Sequence, residues 1–508
     1  MSREMIEFFA ASGFSILLTL LISTPIIALL LTTFSRQKKI METVTIFSTL
    51  LIMIQGFVLV AEVISEKSIS AFNNIFYVDA FSAVIIIPIS IVGFVSALYS
   101  VNYIGRQYDN GFLDKRQLVR YYQEFNLFIF TMLLVPLSNN LGLMWIAIEA
   151  TTLVSVLLIM LYVKESAIEA AWKYLIVATV GLSFAFFGTT FFYYAGLNVA
   201  NSDASDGMNW TTMVSNASLF DPNIVKIAFI FILVGYGTKA GLAPMHTWLP
   251  DAHSEAPTPV SALLSGVLLN CAIYAIIRFH IVSSVSVGPL FSNQLLIILG
   301  VVSIGIAAIS IYFQRDMKRM LAYSSVEHMG VIAFAVGTGS ILGISGAVLH
   351  ILNHAIVKPL MFFASGTVSQ KYETKAMKQI KGVIKTMPVT GALFLMGGLA
   401  IIGMPPFNIF MSEFMIISSG FKSGQYLASS LVIFFLIVMF AGFMSHLVKM
   451  VFGNPRKEMK KGDLGRLAIV PMIILIILAL ILGFYIPEPL QILAKDVFNI
   501  INKGGLSS

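Results

Sequence analysis

Apolar stretches of about 20 residues, the length that crosses a bilayer as a helix, recur along this chain from residue 14 to residue 486. They read at 14–33, 43–63, 79–99, 125–138, 140–162, 171–196, 224–243, 259–282, 292–313, 321–340, 343–367, 388–418, 426–451 and 466–486, fourteen in all. Few folds are open to such a chain, because backbone polar groups in hydrocarbon must be satisfied within the segment that carries them. Only 11% of the 508 residues are charged and 57% are hydrophobic, against roughly 25% charged in an ordinary soluble domain. That is too little charge to cover a water-facing surface. The expected fold class is an all-α polytopic membrane protein with about fourteen transmembrane helices. The weakest boundary is between the short fourth segment and the fifth, at Asn139–Asn140.

Loop charge tests this count independently. Alternate loops hold Arg36, Lys38 and Lys39; Arg106, Lys115, Arg116 and Arg120; Lys164; Arg315, Lys318 and Arg319; Lys371, Lys375, Lys378, Lys381 and Lys385; and Arg456, Lys457, Lys460 and Lys461. The opposite loops and termini hold only Arg3, Lys67, Lys422, Lys495 and Lys503. This is the positive-inside pattern. It implies an even number of spans, both termini outside, and accounts for the net charge of +7 without an acidic partner. The longest outer loop, about 197–223, holds Asp203, Asp206 and Asp221 but no Lys or Arg. Its Asn-x-Ser/Thr patterns at Asn209 and Asn216 read as chance in a polar loop of a prokaryotic cell-membrane protein. Residues 1–13 do not read as a secretory signal. The single cysteine, Cys271, lies in an apolar stretch and excludes both an internal disulfide and a thiolate-held cluster. No nucleotide loop and no metal-ligand spacing appears, so no cofactor or metal is expected in this chain. Redox chemistry, if any, belongs to another subunit.

Ionisable residues inside apolar spans carry the functional information, since each costs several kcal/mol to bury. Glu149 is mid-span in the fifth segment and Lys239 lies in the seventh. His350, His354 and Lys358 are spaced four apart and share one helical face. Glu413 follows Gly-Met-Pro-Pro-Phe-Asn-Ile-Phe-Met-Ser. Lys173 and the pair Glu327–His328 sit near helix starts. Plainer readings exist for several: a structural Glu149–Lys239 ion pair, a snorkelling Lys173, a His350 satisfying a carbonyl, a Glu327–His328 pair that merely begins a helix. Carboxylate, lysine and histidine share one property, however: each binds and releases a proton. Desolvation disfavours the charged form of carboxylate and ammonium alike, and a row of such groups joined by water is a proton relay.

Two spans are broken. The seventh contains Gly235, Gly237, Gly241 and Pro244; the twelfth contains Gly403, Pro405 and Pro406. Proline removes a helix hydrogen bond, and freed carbonyls are tolerated at membrane depth only beside water or protein. A break near a buried charge in each half points to two inverted five-helix repeats with the ion path between them. The organisation expected is 1–124 (helices 1–3), 125–282 (first repeat, helices 4–8), 292–451 (second repeat, helices 9–13) and 452–508 (helix 14 and tail).

The stretch from Lys239 to Gly266, Lys-Ala-Gly-Leu-Ala-Pro-Met-His-Thr-Trp-Leu-Pro-Asp-Ala-His-Ser-Glu-Ala-Pro-Thr-Pro-Val-Ser-Ala-Leu-Leu-Ser-Gly, resembles the signature of the antiporter-like subunits of respiratory complex I, of Mrp-type sodium/proton antiporters and of group 4 membrane-bound hydrogenases. The resemblance covers roughly spans 3–13. It implies that Glu149 and Lys239 are the partners on helix five and broken helix seven, and that His354 and Lys358 are the central charges of helix eleven. It further implies that Glu413 is the terminal carboxylate of helix twelve and Lys173 the lysine of helix six. His246, His328, Glu327 and Asn270 are further candidates along the path, with His350. Asn270 is a departure: complex I subunits commonly carry a lysine there, and asparagine cannot titrate, so water or His350 is left to bridge the centre. Asn270 together with Tyr-Ser-Ser-Val-Glu-His-Met-Gly at 323–330 looks most like the large antiporter-like subunit, component F, of hydrogenase-4 and formate-hydrogenlyase-type complexes. Because little sequence follows span 14, the long lateral helix of the largest complex I subunit of this kind is not expected. The implied function is proton or sodium translocation inside an energy-converting redox complex; a stand-alone Mrp-type antiporter or respiratory complex I is the alternative. The implied partners are other membrane subunits and a peripheral, hydrogenase-like redox arm, with no redox centre on this chain.

Overall fold

The computed structural model describes residues 16–35, 37–197, 207–455 and 459–503. Arg3, Arg36, Asp203, Asp206, Arg456 and Lys457 lie outside the described residues. Each of the fourteen apolar segments has a helical counterpart. Twelve of these helices are long and apolar enough to cross a membrane. The other two are the fourth span, Lys115–Leu137, and the twelfth, which is split into Pro388–Ile401 and Asn408–Lys422.

The fourth helix begins ten residues before the apolar segment expected at 125. Asp114 accepts from Gln117 N while the Gln117 side chain accepts from Asp114 N. This reciprocal cap satisfies two end donors and starts the helix at Lys115, so Lys115, Arg116 and Arg120 ride on its first turns rather than on a loop. At the other end, Asn140 separates the fourth helix from the fifth: its side chain accepts from Leu143 N at 3.0 Å and caps Leu141–Ile159. The hairpin Ser68–Ala71/Phe76–Asp79 is paired antiparallel with Ser68 opposite Asp79 and leads into the N-terminal end of the third helix. Asp79 then caps that helix, Ala80–Asp109, through Phe81 N and Ser82 N. Past the last apolar segment stands one further amphipathic helix, Glu488–Lys503; its acidic and basic positions break the apolar run, and so hide it from a hydropathy reading.

Loop contacts separate into the two ends that the charge alternation requires. At one end Lys38 pairs with Asp109 at 2.8 Å, Arg106 donates to Leu464 O, Lys371 to Gly462 O, Lys385 to Asn454 and Lys375 pairs with Glu255 at 3.0 Å. At the other, Asn139 donates to Asn74 O and Thr211, and Lys67 pairs with Asp496 at 3.0 Å.

The eighth span, Thr258–Val287, and the eleventh, Ile341–Tyr372, are wholly buried over their most apolar eighteen residues. Peripheral helices instead turn large apolar side chains outward: Ile176, Val180 and Phe187 on Glu165–Leu197, and Phe434 and Ile437 on Tyr426–Phe452, are more than half exposed. Lipid accepts those faces, while polar and ionisable groups face the bundle interior, the arrangement that a bilayer enforces. Both expected breaks are present. The seventh span runs Pro222–Ala240, turns at Gly241 (φ 75°) and resumes as Leu249–Glu255. The twelfth turns at Gly403 (φ 69°), where an added Cβ would collide with the Glu413 carboxylate.

Candidate functional site

The buried titratable groups form a file through the middle of the bundle. Its first cluster is built on the fifth, sixth and seventh spans. Lys239, the second-last residue of the first half of the broken seventh span, is completely buried. Its ammonium donates to Thr152 Oγ1 at 2.7 Å and to Tyr174 OH at 2.5 Å, and lies 4.9 Å from the Tyr174 ring centre. Thr152 is one turn from Glu149 on the same helix, so lysine and carboxylate share a face of the fifth span, with hydroxyls holding the ammonium. Glu149 accepts from Thr179 at 3.2 Å, while its other carboxylate oxygen is buried without a partner. The simple structural ion pair is therefore not what holds Lys239. Tyr174 also contacts Ser155 at 2.9 Å.

A second cluster surrounds the eleventh span. Lys358, wholly buried and followed by the mid-helix Pro359, donates to Leu321 O at 2.9 Å and, at short range, to Ser324 Oγ. On the next turn of the tenth span, Met317–Gly337, Glu327 is buried with both carboxylate oxygens unpartnered by hydrogen bonds, and His328 Nε2 lies 3.4 Å from Glu327 Oε2. His328 Nδ1 faces His350 Nε2 at 3.0 Å, and His350 Nδ1 meets Ser412 Oγ at 3.0 Å. His354 is buried with neither ring nitrogen partnered, its ring 5.2 Å from that of His328. Glu413, at 9% exposure, closes the file against Gly403, beside the exposed turn 404–406. Asn353 Nδ2 donates to the Asn408 backbone carbonyl at 2.8 Å and Asn353 Oδ1 accepts from Asn408 Nδ2 at 2.9 Å, which ties the second half of the broken twelfth span to the eleventh.

Between the clusters sits Asn270, wholly buried, its amide spent on Gly266 O at 2.8 Å and its oxygen unpartnered. It follows the π-helical stretch Leu264–Leu268, a local widening found frequently at functional sites. His350 commits both ring nitrogens to His328 and Ser412 and so belongs to the second cluster. A further buried imidazole is one the apolar reading passed over. His253, completely buried with both ring nitrogens unpartnered, stacks between Trp248 (6.5 Å) and Phe362 (5.5 Å). Trp248 in turn packs on Tyr174 at 4.4 Å. Tyr174, Trp248, His253 and Phe362 thus form a ladder from the Lys239 ammonium to the helix that carries Lys358. His253 is inside the Lys239–Gly266 signature, but the stretch between apolar segments reads as a loop, which removed it from notice.

Two expected residues stand apart from this file. Lys173 is 42% exposed and pairs with Asp251 at 2.6 Å; Arg319 takes the other Asp251 oxygen. His246 is buried, edge-on to Tyr323 at 5.9 Å, with Nδ1 unpartnered. Sequence reasoning also missed a buried ion pair. Arg278 makes bonds of 2.7 and 2.6 Å to the two Asp79 oxygens, both side chains 3% exposed, and its guanidinium lies 4.2 Å from the Trp210 ring centre. This fork-on-fork pairing fastens the eighth span to the N-terminal end of the third. Lys318, counted with the loop charges, is buried and donates to Ala256 O at 2.7 Å.

Residues 138–443 match the family model described as "NADH:quinone oxidoreductase/Mrp antiporter, TM". The hydrogenase-4 component F homolog of Methylacidiphilum infernorum is 41% identical over 417 residues, covering 82% of this chain and 86% of that protein. Among solved structures, a chain of the membrane-bound sulfane sulfur reductase, an archaeal respiratory membrane complex, superposes with a TM-score of 0.84 at 27% identity, covering 96% of this chain and 98% of that one. A chain of the Mrp complex of Dietzia sp. superposes with a TM-score of 0.83 at 18% identity over the same shares, which speaks to the fold alone.

Proposed function

Given that the chain belongs to the family of antiporter-like membrane subunits shared by NADH:quinone oxidoreductases and Mrp antiporters, we propose that it translocates protons through the buried file as one subunit of an energy-converting complex of the hydrogenase-4 type. The observation that carries this reading is the burial of two lysines, Lys239 and Lys358, whose ammonium groups are held by hydroxyls and a backbone carbonyl. A buried ammonium with no carboxylate in salt-bridge contact costs several kcal/mol, a cost that persists in a fold where the group changes its charge in use.

The relay runs from Glu149 to Lys239, across the centre by way of His253 and His354, to Lys358, and on through Glu327, His328 and His350 to Glu413. Hydroxyls of Thr152, Tyr174, Ser324 and Ser412 each contact a relay member and relay or hold a proton between them. Asn270 widens the polar centre without titrating. The two broken spans occupy corresponding places in inverted halves, so that the path lies between repeats. Lys173, with Asp251 and Arg319, gathers charge at the inner mouth. The loops rich in Lys and Arg face the cytoplasm of a prokaryote, the termini face outward, and the driving force arrives from neighbouring membrane subunits and a peripheral redox arm.

The test is to reconstitute the native complex and the isolated chain in liposomes and supply the complex's electron donor and acceptor. Donor-dependent ion accumulation is expected of the complex and not of the chain. Accumulation by the chain alone refutes the subunit reading; antiport by the chain under an imposed sodium gradient would favour a stand-alone antiporter.

A further inference from the structure

The second cluster has a property that proton relay does not require: it is assembled as a ligand set. One nitrogen from each of His328 and His350 and one carboxylate oxygen of Glu413 lie within 4.8 Å of one another, on three buried side chains. We propose that these three residues bind a zinc-type divalent transition-metal ion.

One hydrogen-bond assignment satisfies the Ser412, Asn353 and His350 contacts together and turns the His350 Nε2 lone pair toward His328 Nδ1. Ser412 Oγ donates its one proton to Ile409 O at 2.9 Å. Its lone pairs therefore accept, from Asn353 Nδ2 at 3.2 Å and from His350 Nδ1 at 3.0 Å. His350 carries its proton on Nδ1, and Nε2 presents a lone pair to His328 Nδ1, 3.0 Å away. On the far side of His328, Nε2 has no hydrogen-bond partner and lies 3.4 Å from Glu327 Oε2, which is unpartnered as well. An ion taken up between the rings displaces the His328 proton from Nδ1, and the ring then carries its proton on Nε2, facing the Glu327 carboxylate. Each imidazole so acquires an oxygen behind it, Ser412 for His350 and Glu327 for His328, the outer support that orients metal-bound histidines.

Two imidazoles and one carboxylate form a three-ligand zinc set with a fourth position open. Imidazole nitrogen selects zinc, nickel, cobalt and copper over sodium, magnesium and calcium, which prefer oxygen. Zinc–nitrogen bonds of about 2.0–2.1 Å at tetrahedral angles place the two nitrogens about 3.3 Å apart, so the rings need to open by only a few tenths of an ångström, while the Glu413 oxygen, within 4.8 Å of them, closes onto the ion. Two carboxylates, Glu413 in the set and Glu327 behind it, balance the charge of a dication. The donors come from the tenth, eleventh and twelfth spans, so no local ligand spacing announces them in the sequence.

The site is tested by binding, independently of whether the relay reading holds. The full chain, purified in detergent, is titrated with Co²⁺, whose visible absorption reports a low-coordinate nitrogen and oxygen site; with a single buried cysteine the chain adds no thiolate background. One saturable Co²⁺ per chain, displaced by Zn²⁺, is expected. His328→Ala and His350→Ala should abolish the band, Ser412→Ala and Glu327→Gln should weaken binding by about 10–100-fold, and Glu149→Gln, in the other cluster, should leave it unchanged. Size-exclusion profiles matching the wild type keep the histidine variants interpretable. Absence of a saturable band in the wild type, or its survival in both histidine variants, overturns the proposal.

Discussion

At the scale of the residue, the proposed relay requires Glu149 and Lys239 each to change charge. Glu149→Gln and Lys239→Ala should therefore each lower donor-driven ion uptake by about tenfold or more, equivalent to about 1.4 kcal/mol added to the barrier, while assembly persists; uptake at the wild-type rate in either variant would remove that residue from the path. His253 gives a sharper test, because its packing and its titratable atoms can be separated: both its nitrogens are unpartnered, so His253→Phe preserves the stack on Trp248 and Phe362 while removing the titratable atoms. Normal assembly with impaired transport is expected, and unimpaired transport would show that the centre is crossed without it. These two cases differ in legibility. Glu149 and Lys239 were visible because a charge in an apolar run is conspicuous. His253 was not, because the stretch that carries it is polar in sequence and is interior only because the seventh span resumes as Leu249–Glu255 after its break.

Elements carry the next level of argument. The break in the twelfth span is held by Gly403, whose positive φ and lack of Cβ admit the Glu413 carboxylate. Gly403→Ala should displace Glu413 and reduce transport much as Glu413→Gln does, measured side by side in the reconstituted complex; full activity would show the carboxylate position to be unimportant. The buried Asp79–Arg278 pair predicts an asymmetry. Arg278→Ala strands a buried carboxylate and should cost about 3–5 kcal/mol, seen as loss of thermal stability. The double variant Asp79→Ala/Arg278→Ala should recover part of that loss; additive losses would contradict a paired interaction. Helix count and both breaks were readable from hydropathy, proline and glycine. The early start of Lys115–Leu137 was not, because its first turns are charged and its cap is a reciprocal side-chain bond. Nor was the final helix Glu488–Lys503, whose alternation of polar and apolar faces averages away in a hydropathy window. Asp79 and Arg278 escaped attention because each lies near the end of an apolar segment, where charge is usually a solvated flank, and 199 residues separate them.

For the whole molecule, loop charge and loop contacts agree on two ends, and the proposed orientation places the lysine-rich end inside. Because the natural cysteine is buried, single cysteines introduced at Asn73 and Lys378 can be probed in intact cells with an impermeant thiol reagent. Labelling of the first and protection of the second is expected; the reverse would invert the topology. The central claim is that this subunit converts a partner's redox energy into ion movement through its own buried lysines. It is tested most directly by measuring donor-driven ion accumulation in liposomes that contain the native complex with Lys239→Ala, alongside the wild-type complex at matched protein content. The account predicts a complex that assembles yet builds a gradient at least about tenfold more slowly; a gradient formed at the wild-type rate would contradict it.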